Sequence, residues 1–314
     1  MNNNRLHREE RFKDETAAGS ATAHTDQAGR SGASREMTSA SPVKAVSIDL
    51  DGTLFRSDKS ISPRSRRALQ RCLEEGIELI VATARPPRSI AILCPELPGM
   101  AHMVYYNGGL SVNKYTGEQE RLSIDGALLK EVYDYIQTQE PASFFTAEKD
   151  NELFATRPLT PEESALFGMP PGVEQPLPLD IETFGRTGAV KILLPAFGSF
   201  DSFAETFGSR LNIIRTDGGT LVQLMHKMAC KSTAVARLLN GMGISVRECM
   251  AFGDDYNDLA LFRLVGYPVA MGNAVEDLKH AARRVTENND NDGVAVVLEK
   301  LTMNSGADGE RLLG

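Results

Sequence analysis

Asp49 and Asp51 stand two positions apart in AVSIDLDGTLF, residues 45 to 55, directly after small and β-branched residues with the character of a buried strand. On an extended chain both side chains share one face, and Gly52 then lets the backbone turn away. Carboxylates that close disfavour joint ionisation, so the pair requires a shared proton or a cation. Other apolar runs end in comparable chemistry. IELIVAT, 77 to 83, closes on the hydroxyl of Thr83, and ECMAF, 248 to 252, leads into Gly253, Asp254 and Asp255, with Asn257 and Asp258 close behind. Lys231 opens a helical stretch, CKSTAVARLLNG, with Ala234, Leu238 and Leu239 on one stripe and Gly241 as its stop.

If the apolar runs are parallel strands of one sheet, their polar ends converge at its carboxyl edge, where open α/β sheets bind ligands. Asp49, Asp51 and Asp254 then form an all-oxygen set without His or Cys, which suits Mg²⁺ and answers the repulsion with a cation. A hydrated Mg²⁺ usually recruits phosphate oxygens. Lys231 at a helix start, the Thr83 hydroxyl and the backbone amides around Gly52 are fitting partners for such an anion.

The elements that must position these residues alternate strand and amphipathic helix, the pattern of a parallel sheet covered on both faces. Ser62 caps a helix with Pro63 in its first turn and Gly76 after its end. The middle of the chain has another texture. A helix over 126 to 137, isolated strands NELFAT and AVKILL, and a hairpin joining LNIIRT to TLVQLM across Asp217, Gly218 and Gly219 make it α+β. The expected organisation is a disordered tail (1–42), an α/β core (43–119 and 223–301) interrupted by an inserted α+β domain (120–222), and a loose C-terminal tail (302–314).

The 314 residues are 41% hydrophobic with a formal net charge of −8, which argues against nucleic acid as a partner because a phosphate backbone calls for clustered Lys and Arg. No segment has the roughly 20 apolar residues of a membrane span. The four cysteines, Cys72, Cys94, Cys230 and Cys249, form no CxxC pair, and a reducing cytoplasm is expected. His102, His226 and His280 are separated and are expected to serve packing or the surface.

The ordered set DLDGT (49–53), VAT (81–83), Lys231 and GDDYND (253–258), with NGG (107–109), AMGNA (270–274) and NDGVA (291–295), resembles the haloacid dehalogenase superfamily, specifically the Cof-type phosphatases of class IIB. The resemblance implies a Rossmannoid parallel-sheet core with a large inserted α+β cap. It implies Asp49 as the nucleophile that becomes an aspartyl phosphate and Asp51 as acid and base. Mg²⁺ would be held by Asp49, Asp51 through its backbone carbonyl, and Asp254; phosphate would be met by Thr83, Lys231, Gly52 and Asn257, with Asp258 and Asn107 in support. The implied activity is hydrolysis of small phosphorylated metabolites, sugar phosphates first, with a phosphosugar mutase or a non-catalytic phosphometabolite sensor as alternatives. Lys149, Arg157, Arg186, Lys191 and Arg215 are the inserted segment's candidate anion contacts. This chain departs from the family's usual TGR with Thr83, Ala84 and Arg85 followed by Pro86 and Pro87, and it carries Leu261 where the family has Met.

Overall fold

The computed structural model describes residues 43–166, 175–216 and 219–303. The expected tail 1–42 and most of 302–314 lie outside them, as do Asp217 and Gly218 of the hairpin turn. In chain order the first sheet begins with β1 (Ala45–Ile48), helix α1 (Pro63–Glu74), β2 (Glu78–Ala82), α2 (Pro87–Leu93), α3 (Leu97–Met100), β3 (His102–Tyr105), β4 (Leu110–Val112) and β5 (Gln119–Arg121). A second sheet follows: α4 (Gly126–Gln139), β6 (Thr146–Lys149), β7 (Glu152–Ala155), α5 (Pro161–Leu166), β8 (Leu177–Pro178), α6 (Ile181–Thr187), β9 (Lys191–Pro195), α7 (Phe200–Phe207), β10 (Leu211–Thr216) and β11 (Leu221–His226). The chain then returns to the first sheet with α8 (Lys231–Gly241), β12 (Cys249–Gly253), α9 (Leu259–Leu264), β13 (Tyr267–Ala270), α10 (Glu276–Ala281), β14 (Arg284–Val285) and α11 (Gly293–Met303).

The first sheet has the order β14-β13-β12-β1-β2-β3-β4-β5. Its pairings from β14 to β3 are all parallel, and β4 and β5 add an antiparallel extension. Every residue of β1, β3, β12 and β13 is buried, as strands covered on both faces must be. From β1 the chain steps outward through β2 to β3 and later, on the other side, through β12 to β14. The β1/β12 boundary is therefore where the direction of winding reverses, the place at which α/β sheets open a ligand crevice. Register puts Ile48 beside both Val81 and Phe252, so Asp49, Thr83 and Asp254 emerge at one edge.

The second sheet, β10-β11-β9-β6-β7-β8, is antiparallel except for β7 with β8. Ala147, Ile192, Leu194, Val222 and Leu224 alternate onto one face and build a separate core with Leu129, Val132 and Ile136 of α4 and Phe203 of α7. The expected hairpin is present as β10 and β11. Three boundaries differ from expectation. A division at 222/223 falls inside β11, whose whole length pairs in the second sheet, and β5 carries Glu120 and Arg121 as part of the first. Helix α11 continues through Thr302 to Met303, because its Val294, Ala295, Val297 and Leu298 face is anchored in the core. Among the described residues no helix is long and apolar enough to cross a membrane.

Candidate active site

Asp49 follows β1 and is 7% exposed; its N–H donates to the Phe252 carbonyl at 3.2 Å, stitching the start of the loop to β12. Lys231, the first residue of α8, is fully buried and its Nζ donates to Asp49 Oδ1 and Asp258 Oδ1, each at 2.7 Å. Asp258 Oδ2 in turn accepts from the Asp254 N–H at 3.2 Å. Thr53 Oγ1 donates to Asp254 Oδ1 at 2.8 Å. One carboxylate oxygen from each of Asp49, Asp254 and Asp258 lies within 4.8 Å of the others.

These carboxylates crowd one another. Burial pushes Asp49 well above the usual carboxylate range; Lys231 pulls the other way, and Asp258 and Asp254 add repulsion. Asp254 is pushed up to about 6 by burial first, against the Thr53 hydrogen bond, with Asp258 raising it further. Burial works against the Lys231 cation, yet Asp258 and Asp49 together hold it charged far past neutral pH. Three acids around one base leave an excess of negative charge in a dry site. Asn257 adds a buried Oδ1 without a hydrogen-bond partner among the described residues, while its Nδ2 donates to Asn107 Oδ1 at 3.0 Å. Excess negative charge, oxygen-only donors and an orphaned oxygen fit a hard divalent cation.

Asp51 stands apart from this cluster. Arg85 grips it with two hydrogen bonds, Nε to Oδ2 at 2.6 Å and Nη2 to Oδ1 at 2.7 Å, and Lys59 Nζ adds a third at 2.9 Å. Burial pushes its carboxyl up, but Arg85 and then Lys59 outweigh that and hold it below the usual range. The repulsion expected between Asp49 and Asp51 is thus taken up elsewhere: β1 ends at Ile48, the chain turns, and the acids that press on Asp49 are Asp254 and Asp258. Asp258 does not spend its carboxylate capping α9; it serves Lys231 and the Asp254 amide.

Thr83, buried after β2, accepts from the Arg85 N–H through Oγ1 at 3.1 Å, and its carbonyl accepts from the Asn107 N–H at 2.9 Å. Gly52, at φ +76°, lies so near Asp254 that a Cβ there would fall 2.1 Å from its Oδ2. Tyr106, Asn107 and Gly108 form a left-handed run with φ of 53°, 53° and 102°. A Cβ on Gly108 would stand 2.4 Å from the Cys230 carbonyl, one residue before Lys231. Gly108→Ala is therefore expected to lower stability by about 2 kcal/mol or more, from backbone strain and displacement of the α8 start. Chemical denaturation monitored by circular dichroism measures it.

The model of the haloacid dehalogenase-like hydrolases matches residues 46–298, which spans the first sheet, the second sheet and every residue of this site. The chain belongs to the haloacid dehalogenase-like hydrolases. Within that family it falls in the Cof-type branch. It is 26% identical over 287 residues to the 5-amino-6-(5-phospho-D-ribitylamino)uracil phosphatase YwtE of Bacillus subtilis, covering 82% of this chain and 98% of the relative. It is 25% identical over 300 residues to phosphatase YwpJ of the same organism, covering 82% and 100%. The crystal structure of a haloacid dehalogenase-like hydrolase from Bacteroides thetaiotaomicron superposes with a TM-score of 0.71 at 29% identity, covering 82% of this chain and 99% of that one.

Residues with no individual role assigned from the sequence, some of them inside the quoted late signatures, also hold the site loop in place. Asn273, in AMGNA, donates from Nδ2 to the Gly52 carbonyl at 2.8 Å, and Asn289 donates from Nδ2 to the Phe55 carbonyl at 2.9 Å. Arg56 pairs with Asp292 at 2.8 Å. The late signatures thus brace the loop that carries Asp49 and Asp51. Of the five cations proposed as anion contacts, Lys191 reaches the site loops: its buried Nζ donates to the Ala84 carbonyl at 3.4 Å. Arg157 is paired with Glu163, Arg215 donates to the Gly219 carbonyl, and Lys149 lies over the Phe184 ring. Arg186 closes the last turn of α6.

Proposed function

We propose that the chain is a Mg²⁺-dependent phosphatase of small phosphorylated metabolites, with sugar and sugar-alcohol phosphates first among them. The observation that carries this reading is Lys231 buried between Asp49 and Asp258 with Asp254 beside them, at the edge where the winding reverses. Asp49, Asp254 and the Asp51 carbonyl would hold the metal. When bound, Mg²⁺ supplies positive charge to the oxygens of the phosphoryl group in flight.

Asp49 attacks phosphorus, the bond to the alcohol oxygen breaks, and Asp51 protonates that oxygen as it leaves. Water then attacks the aspartyl phosphate, Asp51 takes its proton, and the bond from phosphorus to Asp49 breaks to release phosphate. The ion pair with Arg85 keeps Asp51 ionised before substrate arrives, the state needed for the second half. Substrate phosphate competing for Arg85 loosens that grip, and the Asp51 carboxyl rises toward the range an acid needs. Lys231 and Thr83 steady the transferred oxygens.

The second sheet and its helices serve as the cap over this edge, and we place the protein in the cytoplasm, where the free thiols of Cys72, Cys94, Cys230 and Cys249 are stable. Phosphate release from a panel of sugar, nucleotide and cofactor phosphates tests the reading. Release should require Mg²⁺, vanish in EDTA and return on adding the metal. The same metal should raise the thermal midpoint, because it binds the folded cluster and relieves its repulsion. Equal release with and without EDTA would remove the metal from the mechanism.

A further inference from the structure

The loop after β1 closes with a hairpin turn whose backbone suits glycine but carries lysine. The Lys59 N–H donates to the Arg56 carbonyl and the Arg56 N–H to the Ser60 carbonyl, each at 2.9 Å, which closes a three-residue turn over Ser57, Asp58 and Lys59. The third position of such a turn lies in the left-handed region, and Lys59 stands there at φ +67°. Glycine adopts that conformation freely, whereas a residue with a side chain is strained in it. The turn is nevertheless tied down from outside. Ser57 donates to both oxygens of Asp290, from its N–H at 2.8 Å and from Oγ at 2.6 Å, Arg56 pairs with Asp292, and Asn289 Nδ2 donates to the Phe55 carbonyl. The segment before α11 thus fixes where the Lys59 backbone stands.

The side chain on this strained backbone goes to Asp51. Its Nζ donates to Oδ1 at 2.9 Å, the oxygen that also accepts from Arg85 Nη2. Lys59 and Asp51 are 48% and 39% exposed, and ion pairs so open to water add little to stability. Stability therefore does not account for lysine at a glycine position. Charge and direction do. Two cations meet one carboxylate here, so one of them is in excess until an anion enters. Arg85 is the more buried of the two, lies 5.8 Å from the centre of the Phe55 ring, and donates its N–H to Thr83 Oγ1, beside the hydroxyl that would face phosphate. Lys59 comes from the outer turn. Once Arg85 turns to an incoming phosphate, Lys59 is the hold that Asp51 keeps. A carboxyl that must deliver a proton to one oxygen needs such a hold, because misplacing a reacting group by about 1 Å costs on the order of a hundredfold in rate.

We propose that Lys59 is a positioning residue for Asp51, its ammonium holding the carboxyl toward the leaving-group oxygen while Arg85 serves the phosphate. The inference rests on the phosphatase reading above, and its test separates the two. Benzyl phosphate and p-nitrophenyl phosphate carry the same phosphoryl group on similar rings. The benzyl oxygen must gain the Asp51 proton as its bond to phosphorus breaks, whereas p-nitrophenolate leaves without one. kcat/KM for both esters is measured with Mg²⁺ in wild type, Lys59→Gly and Lys59→Arg. Lys59→Gly should lower the benzyl value about tenfold to a hundredfold and the p-nitrophenyl value by no more than about threefold. Its melting midpoint should be no lower than that of wild type, because glycine relieves the turn. Lys59→Arg should restore the ratio of the two values, because it returns the positive charge. Equal losses on both esters would make Lys59 a phosphate contact or a structural residue and overturn the positioning role. A ratio that stays low in Lys59→Arg assigns the effect to the turn instead of the charge and overturns it too. Wild type that cleaves both esters with a ratio unmoved in Lys59→Gly removes the positioning role alone, and wild type that cleaves neither removes the phosphatase reading with it.

Discussion

Asp49→Asn should reduce phosphate release at least about a thousandfold, the scale on which enzymes lose a covalent nucleophile, and it should at the same time make the metal-free protein harder to unfold. Both effects have one cause. Asp49 is buried beside Asp254 and Asp258, and its folded pKa lies well above the usual carboxylate range. A carboxyl of that kind stabilises the fold below its unfolded pKa and loses that contribution as pH rises through the folded value, so at neutral pH its charge is held against the fold's preference. The amide removes the charge and keeps an oxygen to accept from Lys231. Thermal melts in EDTA should therefore show a higher midpoint for Asp49→Asn than for wild type, a difference that shrinks when Mg²⁺ relieves the wild-type cluster. Activity lost while stability is gained is what a site kept for chemistry shows on substitution. Release near the wild-type rate would exclude Asp49 as the nucleophile, and a lowered midpoint in EDTA would mean that the Asp49 to Lys231 pair outweighs the carboxylate repulsion.

The chemistry at strand ends was legible because buried apolar runs such as AVSI and CMAF tolerate a carboxylate at their tips only for a reason, and several such tips recur in order. The antiparallel extension β4-β5 was harder, since LSV and QER are short and the second is exposed, leaving little periodicity to detect. Side-chain partnerships were hidden altogether. Asp258 follows Asp254 by four residues and has the sequence look of a helix cap, yet a residue 27 positions away decides its role. Asp51 and Arg85 are likewise joined only by the β1 to β2 pairing that brings their loops together. In TAEK, KILLP and LVQLMH the alternation is visible, but nothing local says which face meets helices and which meets the first sheet. That is why Glu148, which pairs with Arg88, and Gln223, which meets Asn107, escaped notice and Lys191 stood out only for its charge.

Lys231→Met should be the most destabilising single change in the site, and its cost should depend on pH. Methionine fills nearly the same space, so packing is largely kept while the cation between Asp49 and Asp258 disappears. Breaking a buried pair from one side costs about 3–5 kcal/mol because the partner charge stays buried without compensation; here Asp49 and Asp258 both lose their partner, and Asp254 sits beside them. Asp254 already titrates at about 6 in the folded protein, and removing the neighbouring cation raises Asp49 and Asp254 further. A carboxyl with a raised folded pKa binds its proton more tightly folded than unfolded, so acid restores stability and alkali withdraws it. The deficit of Lys231→Met should accordingly be smallest near pH 5, where the cluster takes up protons, and largest toward pH 8. Urea unfolding of wild type and variant at both pH values measures it. The same loss at both would assign the effect to packing around the α8 start instead of charge. Activity should stay lost at every pH, since acid returns the fold without returning the cation that faces the phosphoryl oxygens.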